Sequence, residues 1–157
     1  MPPTVSVDRS LAASPEEVFA VVADPAAVAE LSPELQGVRW LDGATGPELG
    51  ARYRGVNRNG IFRWSTVSTI TELDPPRTVA HDVGLLGRTF SRWRYDLEPD
   101  GDGTRITAST IDLRPGWFAR VSVVGTGVAD RTERNRQNLA ATLDALAGRL
   151  ERAEGPR

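Results

Sequence analysis

The feature that most constrains the fold is a series of closely spaced turn signals that begins near residue 37. Glycine, proline, asparagine and aspartate cluster at Asp42-Gly43, Asn57–Gly60, Asp74–Pro76, Gly84–Gly87 and Asp100–Gly103. Such clusters mark tight turns, and the segments between them alternate apolar and polar residues as half-buried strands do. The pattern predicts six hairpin-linked strands: Gly37–Leu41, Ala51–Val56, Ile61–Leu73, Thr78–Val83, Thr89–Glu98 and Thr104–Leu113.

The residues before this series predict one further strand and two short helices. Val5–Leu11 alternates apolar and polar residues as a strand does. Ser14 is followed by Pro15 and two glutamates, which supply a helix cap, a first-turn proline and acidic residues at the helix N-terminus. This helix ends at Asp24, before a proline, and Pro25–Leu31 is predicted to form the second helix.

The C-terminal third of the chain has helical periodicity. From Phe118 to Leu150 the apolar residues recur at steps of three and four, which predicts a long amphipathic helix. Gly125 and Gly127 weaken its first half, so we expect a kink or break near Gly125. We also expect Glu151–Arg157 to fray, which leaves an ordered part of about residues 4–150.

Length, charge and composition exclude several classes of protein. The 157 residues fit a single domain, and 19 basic against 21 acidic residues give a net charge of −2 without the basic patch that nucleic acid requires. With no cysteine and one histidine, we predict no metal site and no cofactor. No apolar run is long enough to cross a bilayer and the N-terminus lacks an export signal, so we expect a cytoplasmic protein without stable membrane insertion.

The order of these elements predicts an α+β fold. A seven-stranded curved antiparallel sheet has to bury its concave face, and the long C-terminal helix is the element available to cover it. The two short helices follow the first strand. A sheet that curls around one helix leaves a cavity between them, which is where we expect a ligand.

Five segments carry a resemblance to a known family: Ala13–Phe19, Gly50–Arg58, Thr71–Arg77, Trp93–Pro99 and Gly103–Thr107. They resemble the START-like (SRPBCC) superfamily of helix-grip proteins, in particular its polyketide cyclase/dehydrase and lipid-transfer branch. The resemblance spans Val5 to about Leu150 and implies a single START-like ligand-binding domain over residues 1–157. It implies no one activity, because such families include cyclases, carriers and hormone sensors. Ala108 stands where many relatives carry a glutamate, so a role of that glutamate does not carry over.

Strand alternation assigns side chains to the inner face of the sheet, because successive residues of a strand point to opposite faces. Aromatic residues at inward positions form the wall of the expected cavity, and polar residues form a row near one end. The ligand-binding residues predicted in this way are Tyr53, Phe62, Trp64, Ser68, His81, Ser91, Trp93, Tyr95, Thr110 and Asp112.

The turns also predict which residues lie opposite one another. The turn at Asp100–Gly103 pairs Ser91 with Asp112, Trp93 with Thr110, Tyr95 with Ala108 and Leu97 with Ile106. The turn at Gly84–Gly87 pairs His81 with Ser91 and Val79 with Trp93, and the turn at Asn57–Gly60 pairs Tyr53 with Trp64. The loops Asn57–Gly60, Gly84–Gly87 and Arg114–Trp117 are predicted to gather at one end as the entrance and its lid.

Three functions fit this prediction. The first is binding of a small hydrophobic molecule, aromatic, polyketide-like or lipid, in the cavity. The second is a polyketide aromatase/cyclase or dehydratase in which His81, helped by Tyr53 or Tyr95, moves protons, since an unperturbed histidine titrates near neutral pH. The third is a homodimeric interaction module that uses an exposed apolar face of the long helix and needs no ligand.

Overall fold

A computed structural model describes residues 2–154 of the chain. Residue 1 and residues 155–157, which include part of the segment expected to fray, lie outside the described residues. The elements follow in the order β1 (Val5–Leu11), α1 (Pro15–Val22), α2 (Pro25–Leu31), β2 (Leu35–Trp40), β3 (Arg52–Asn59), β4 (Phe62–Asp74), β5 (Thr78–Leu85), β6 (Arg88–Asp100), β7 (Gly103–Asp112), α3 (Gly116–Thr126) and α4 (Arg131–Glu154).

The seven strands form one antiparallel sheet in the order β1-β7-β6-β5-β4-β3-β2. Six strands follow one another as a meander, and β1 joins the far edge beside β7. The α+β fold predicted from the sequence is therefore confirmed: an antiparallel sheet, two short helices after the first strand and a long C-terminal helix.

The short helices begin as their capping residues predict. The Ser14 hydroxyl accepts a hydrogen bond from the Glu17 backbone N–H at 3.2 Å, and Pro15 occupies the first turn of α1. The Asp24 carboxylate caps α2 by accepting from the Ala26 N–H at 3.0 Å.

The C-terminal helical segment is broken where the glycines weaken it. Gly127 ends α3 with a φ of +69°, in the left-handed region, and α4 begins at Arg131. A Cβ at Gly127 would lie 2.6 Å from the ring of Phe62, so this close approach also requires glycine. The expected break near Gly125 thus lies two residues further along, and α4 runs on to Glu154.

The main core lies between α4 and the half of the sheet formed by β1, β7 and β6. Leu143 and Leu146 on α4 are fully buried, and Ile106 and Ala108 on β7 are fully buried opposite them in the same cluster. Helix α1 adds Val18, which is also fully buried. The half of the sheet formed by β3, β4 and β5 is less tightly covered, and this difference positions the cavity described below.

The strand pairing confirms one predicted register and corrects two. Between β6 and β7 all four predicted pairs are present, including Ser91 opposite Asp112. Between β5 and β6 the predicted register was wrong: Trp93, not Ser91, lies opposite His81, and Tyr95 lies opposite Val79. The turn contains only Leu86 and Gly87, and the register shifts between Val83 and Gly84. Together these two features change the partner of each residue before Gly84.

The pairing of Tyr53 with Trp64 was also wrong. Tyr53 lies opposite Ser68, and Trp64 lies opposite Asn57, because the strands continue to Asn59 and Phe62 before the chain turns. Gly60, with a φ of +59°, permits this tighter turn. In both hairpins the error is an even number of residues, so the assignment of residues to the inner or outer face is unchanged.

None of the helices described in residues 2–154 is both long and apolar enough to cross a membrane.

Candidate functional site

A cavity of about 520 Å³ lies between the inner face of the sheet and the helices. Strands β3 to β6 form one wall, and α2, α3 and α4 form the other, with Val28, Phe118 and Leu139 among the residues that these helices contribute. Ligand pockets in proteins commonly measure roughly 300–1,000 Å³. The volume of this cavity therefore falls within the range of ligand pockets and exceeds that of an ordinary packing defect.

Eight of the ten residues predicted to contact a ligand line this cavity: Tyr53, Trp64, Ser68, His81, Ser91, Trp93, Tyr95 and Asp112. The other two do not. Phe62 lies at the start of β4 with its ring against Gly127. Thr110 pairs with Trp93 as predicted but is only 1% exposed, and its hydroxyl makes no hydrogen bond within the described part of the chain.

The sheet wall is an aromatic surface centred on Tyr53. Its ring lies edge-on to Trp40, with 5.5 Å between centroids, and edge-on to the His81 imidazole, with 6.0 Å between centroids. Trp93 and Tyr95 continue the wall along β6. Alternation of residues along β3, β5 and β6 produces this surface, since each of these rings occupies an inward position.

His81 is a neutral histidine in this setting. Burial lowers the pKa of His81 to about 4, and the nearby Asp82 carboxylate, which acts in the opposite direction, only partly offsets this effect. At neutral pH the imidazole therefore carries no charge and presents one hydrogen-bond donor and one acceptor.

The two cavity tyrosines also remain uncharged. Burial raises the pKa of Tyr95 to about 12. Burial raises the pKa of Tyr53 as well, against the opposing effect of the adjacent Ser68 hydroxyl. Both phenols therefore keep their protons and act as hydrogen-bond donors on the cavity wall.

The polar row at one end does not form a catalytic relay. Asp112 is bound to Arg114 through both carboxylate oxygens, at 3.0 and 2.8 Å. Burial by itself would raise the pKa of Asp112, but the hydrogen bonds from Arg114 outweigh it and the pKa lies below its usual range. The Ser91 hydroxyl accepts a hydrogen bond from the Trp93 indole N–H at 3.0 Å. Ser91 also lies opposite Val83 and not opposite His81.

Sequence reasoning missed a second polar group, which lines the helix wall. Glu34, between α2 and β2, binds Arg131 at 2.7 Å and Asn138 at 2.9 Å, both on α4. Asn135 lines the cavity on the same helix. A signal was present, because residues 131, 135, 138 and 142 continue the three- and four-residue spacing of the buried leucines toward the start of α4.

The cavity reaches the surface under α3. None of the residues of α3 is buried, and Val121 and Val124, which line the cavity, are 59% and 79% exposed. One end of α3 is attached to β6 by stacking of Phe118 on Phe90, with ring centroids 4.3 Å apart. The other end is attached to the β3–β4 hairpin, where the Asn59 amide donates to the Thr126 carbonyl at 2.9 Å.

The described residues 2–154 contain no group of three or more histidine, aspartate or glutamate side chains that could hold a metal ion. The carboxylates nearest the cavity are already engaged by arginines: Glu34 by Arg131 and Asp112 by Arg114.

Comparison with solved structures agrees with the fold. A polyketide-cyclase-like protein of Corynebacterium glutamicum is 28% identical over 99% of this chain and 96% of its own, with a TM-score of 0.59. Major latex-like protein 151 of Panax ginseng is 14% identical over 92% of this chain and 95% of its own, with a TM-score of 0.67. Protein NE0264 of Nitrosomonas europaea is 14% identical over 97% and 96% of the two chains, with a TM-score of 0.66.

Among curated protein sequences no match to this chain was found. A family model described as polyketide cyclase/dehydrase and lipid transport matches residues 2–151, which is nearly the whole chain. The resemblance seen in the sequence is thereby confirmed, and the chain belongs to the polyketide cyclase/dehydrase and lipid transport family.

Proposed function

We propose that the protein binds a small hydrophobic molecule that contains aromatic or other flat rings in the cavity between the sheet and α4. The observation that carries the proposal is the cavity itself: about 520 Å³ of space lined by Trp64, Trp93 and the two tyrosines. Membership of a family described by polyketide and lipid ligands supports a hydrophobic occupant.

The chemistry of the wall favours a flat ring system. Aromatic side chains contact such rings by stacked or edge-on packing, which adds to the free energy gained from burying apolar surface. The neutral His81 imidazole and the protonated Tyr53 and Tyr95 phenols supply hydrogen bonds without placing a charge beside the ligand. A few fixed polar groups on an apolar wall are typical of a site that orients a ligand.

A cyclase or dehydratase that uses His81 receives less support from the geometry. A pKa of about 4 leaves almost no imidazolium at neutral pH, so His81 is a poor proton donor there. The raised pKa values of Tyr53 and Tyr95 make these phenols poor acids as well. The neutral His81 has a free ring nitrogen that can accept a proton, but a pKa of about 4 also makes it a weak base.

The uncharged dye N-phenyl-1-naphthylamine tests the binding proposal, because its fluorescence rises in an apolar site. We expect saturable binding with one site per chain. Val83→Phe places a ring inside the cavity and should weaken binding, whereas the control Thr89→Phe adds the same ring at an exposed position of β6 outside the lining. Absence of dye binding, or equal binding by both variants, would contradict a site in this cavity.

Two further expectations stay predictions. The helix considered for a homodimer is divided in two: α4 buries Leu139, Leu143 and Leu146 against the sheet, whereas α3 exposes Val121 and Val124, so a homodimer of this kind would use α3. Mass measurement under native conditions tests that alternative. The cytoplasmic location is tested by cell fractionation.

A further inference from the structure

The inward stripe of α4 changes from polar to apolar along its length. Near its start Arg131, Asn135 and Asn138 line the cavity. Further along, Leu143 and Leu146 are fully buried in the core. A helix that only completed a core would be apolar along the whole stripe, so the polar half faces something other than packed side chains.

A buried ion pair fixes this polar half. One oxygen of the Glu34 carboxylate accepts from Arg131 at 2.7 Å and the other accepts from the Asn138 amide at 2.9 Å. The Arg131 and Glu34 side chains are only 15% and 11% exposed. The Arg131 guanidinium also lies over the Trp64 ring, 5.6 Å from its centroid. The arginine is therefore held between the carboxylate and the aromatic wall.

Asn135 is the member of this group that lacks a partner. It is 7% exposed and lines the cavity, and its side-chain amide makes no hydrogen bond with any residue in the range 2–154. An amide offers two donors and an acceptor. Because Asn135 lines the cavity, its amide can be reached from that space and can form hydrogen bonds with a ligand there.

The charges around this end cancel in pairs. Glu34 is neutralised by Arg131, and Asp112 is neutralised by Arg114. A ligand anion would compete with Glu34 for the guanidinium, and a ligand cation would compete with Arg131 for the carboxylate, so either would disrupt a buried pair. An uncharged group that donates and accepts hydrogen bonds leaves both pairs intact.

We propose that the polar end of the cavity, formed by Glu34, Arg131, Asn135 and Asn138, binds an uncharged hydrogen-bonding group, such as a hydroxyl, of a ring-containing ligand. Asn135 makes the direct contact, and the Glu34–Arg131 pair positions α4 so that this amide faces the ligand. This inference rests on the proposed function and adds the class of ligand: a neutral, hydroxylated ring compound.

Three probes of matched size test the inference by displacement of N-phenyl-1-naphthylamine: naphthalene, 2-naphthol and 2-naphthoate. We expect 2-naphthol to bind about five-fold tighter than naphthalene, the gain typical of one net hydrogen bond. We expect 2-naphthoate to bind no tighter than naphthalene. The variant Asn135→Leu should lose the preference for 2-naphthol and keep its affinity for naphthalene, since the two side chains are similar in size.

A matched control makes a similar change at Gln137, which is exposed on α4 and lies outside the cavity lining. Gln137→Leu should keep the preference for 2-naphthol. Loss of the preference in His81→Leu but not in Asn135→Leu would assign the hydroxyl to His81 and overturn the inference. Tightest binding of 2-naphthoate, or a full preference retained by Asn135→Leu, would also overturn it. If naphthalene binds without any preference for 2-naphthol, only this inference fails; if neither the dye nor any probe binds, the proposed function fails with it.

Discussion

The single histidine of the chain gives a direct test of the cavity's electrostatics, because no other side chain has an ordinary pKa between about 5 and 8. Burial lowers the pKa of His81 to about 4 in the folded protein, and the unfolded chain has a histidine pKa of roughly 6.5. Between the two pKa values, the histidine of the unfolded chain binds a proton and His81 of the folded protein does not. The contribution of His81 to the free energy of unfolding is therefore fully present above about pH 7 and is lost as the pH falls toward 4.

The size of the effect follows from the two pKa values. Between about pH 7 and pH 5 the linkage relation gives a loss of about 2 kcal/mol in the free energy of unfolding. Asp112, whose pKa is lowered, stays ionised in this interval and does not add to the loss. Tyr53 and Tyr95 stay protonated throughout.

Urea unfolding at the two pH values measures this loss, and His81→Gln supplies the control because glutamine does not titrate. We expect the natural protein to lose about 2 kcal/mol and the variant to lose almost nothing. Following the His81 ring protons by NMR gives the folded pKa independently. Equal pH dependence in the two proteins, or a ring that titrates near its ordinary pKa, would refute the idea that the cavity wall excludes water from His81.

Three other predictions concern packing and local stability. Leu143→Ala removes a fully buried side chain and should destabilise the fold by about 2–5 kcal/mol in urea unfolding, while Leu49→Ala, at a 70% exposed position, should change it little. Gly84→Ala would place a Cβ 1.9 Å from the Arg88 carbonyl oxygen and should distort the β5–β6 hairpin, whereas Gly46→Ala, with nothing within 4 Å, should be tolerated; similar melting temperatures for the two would contradict this. The amides of α3 should exchange hydrogen with solvent before those of α4, because α3 buries no residue; the reverse order would show that α3 is held more firmly than its contacts indicate.

The local chemistry of the chain determined its elements and their faces. Turn residues such as Gly60 and Gly87, the Ser14 and Asp24 caps and the two-residue period of the strands act over a few residues, so they can be seen without a structure. For that reason the seven strands, the inward positions of Tyr53 and Trp93 and the break before α4 could be predicted.

Register, charge state and long-range polar contacts were decided only by the tertiary structure. The position of a hairpin turn sets the register of every pair beyond it, and so does an extra residue in a strand, such as Phe90 of β6 between the Val83–Ser91 and Gly84–Thr89 pairs. His81 therefore lies opposite Trp93 and not Ser91. The low pKa of His81 comes from burial beneath elements distant in the sequence. Glu34 and Arg131 are 97 residues apart in the chain, and no local pattern joins them. Contacts of this kind depend on where the completed sheet and α4 bring their side chains together, which is a property of the whole fold.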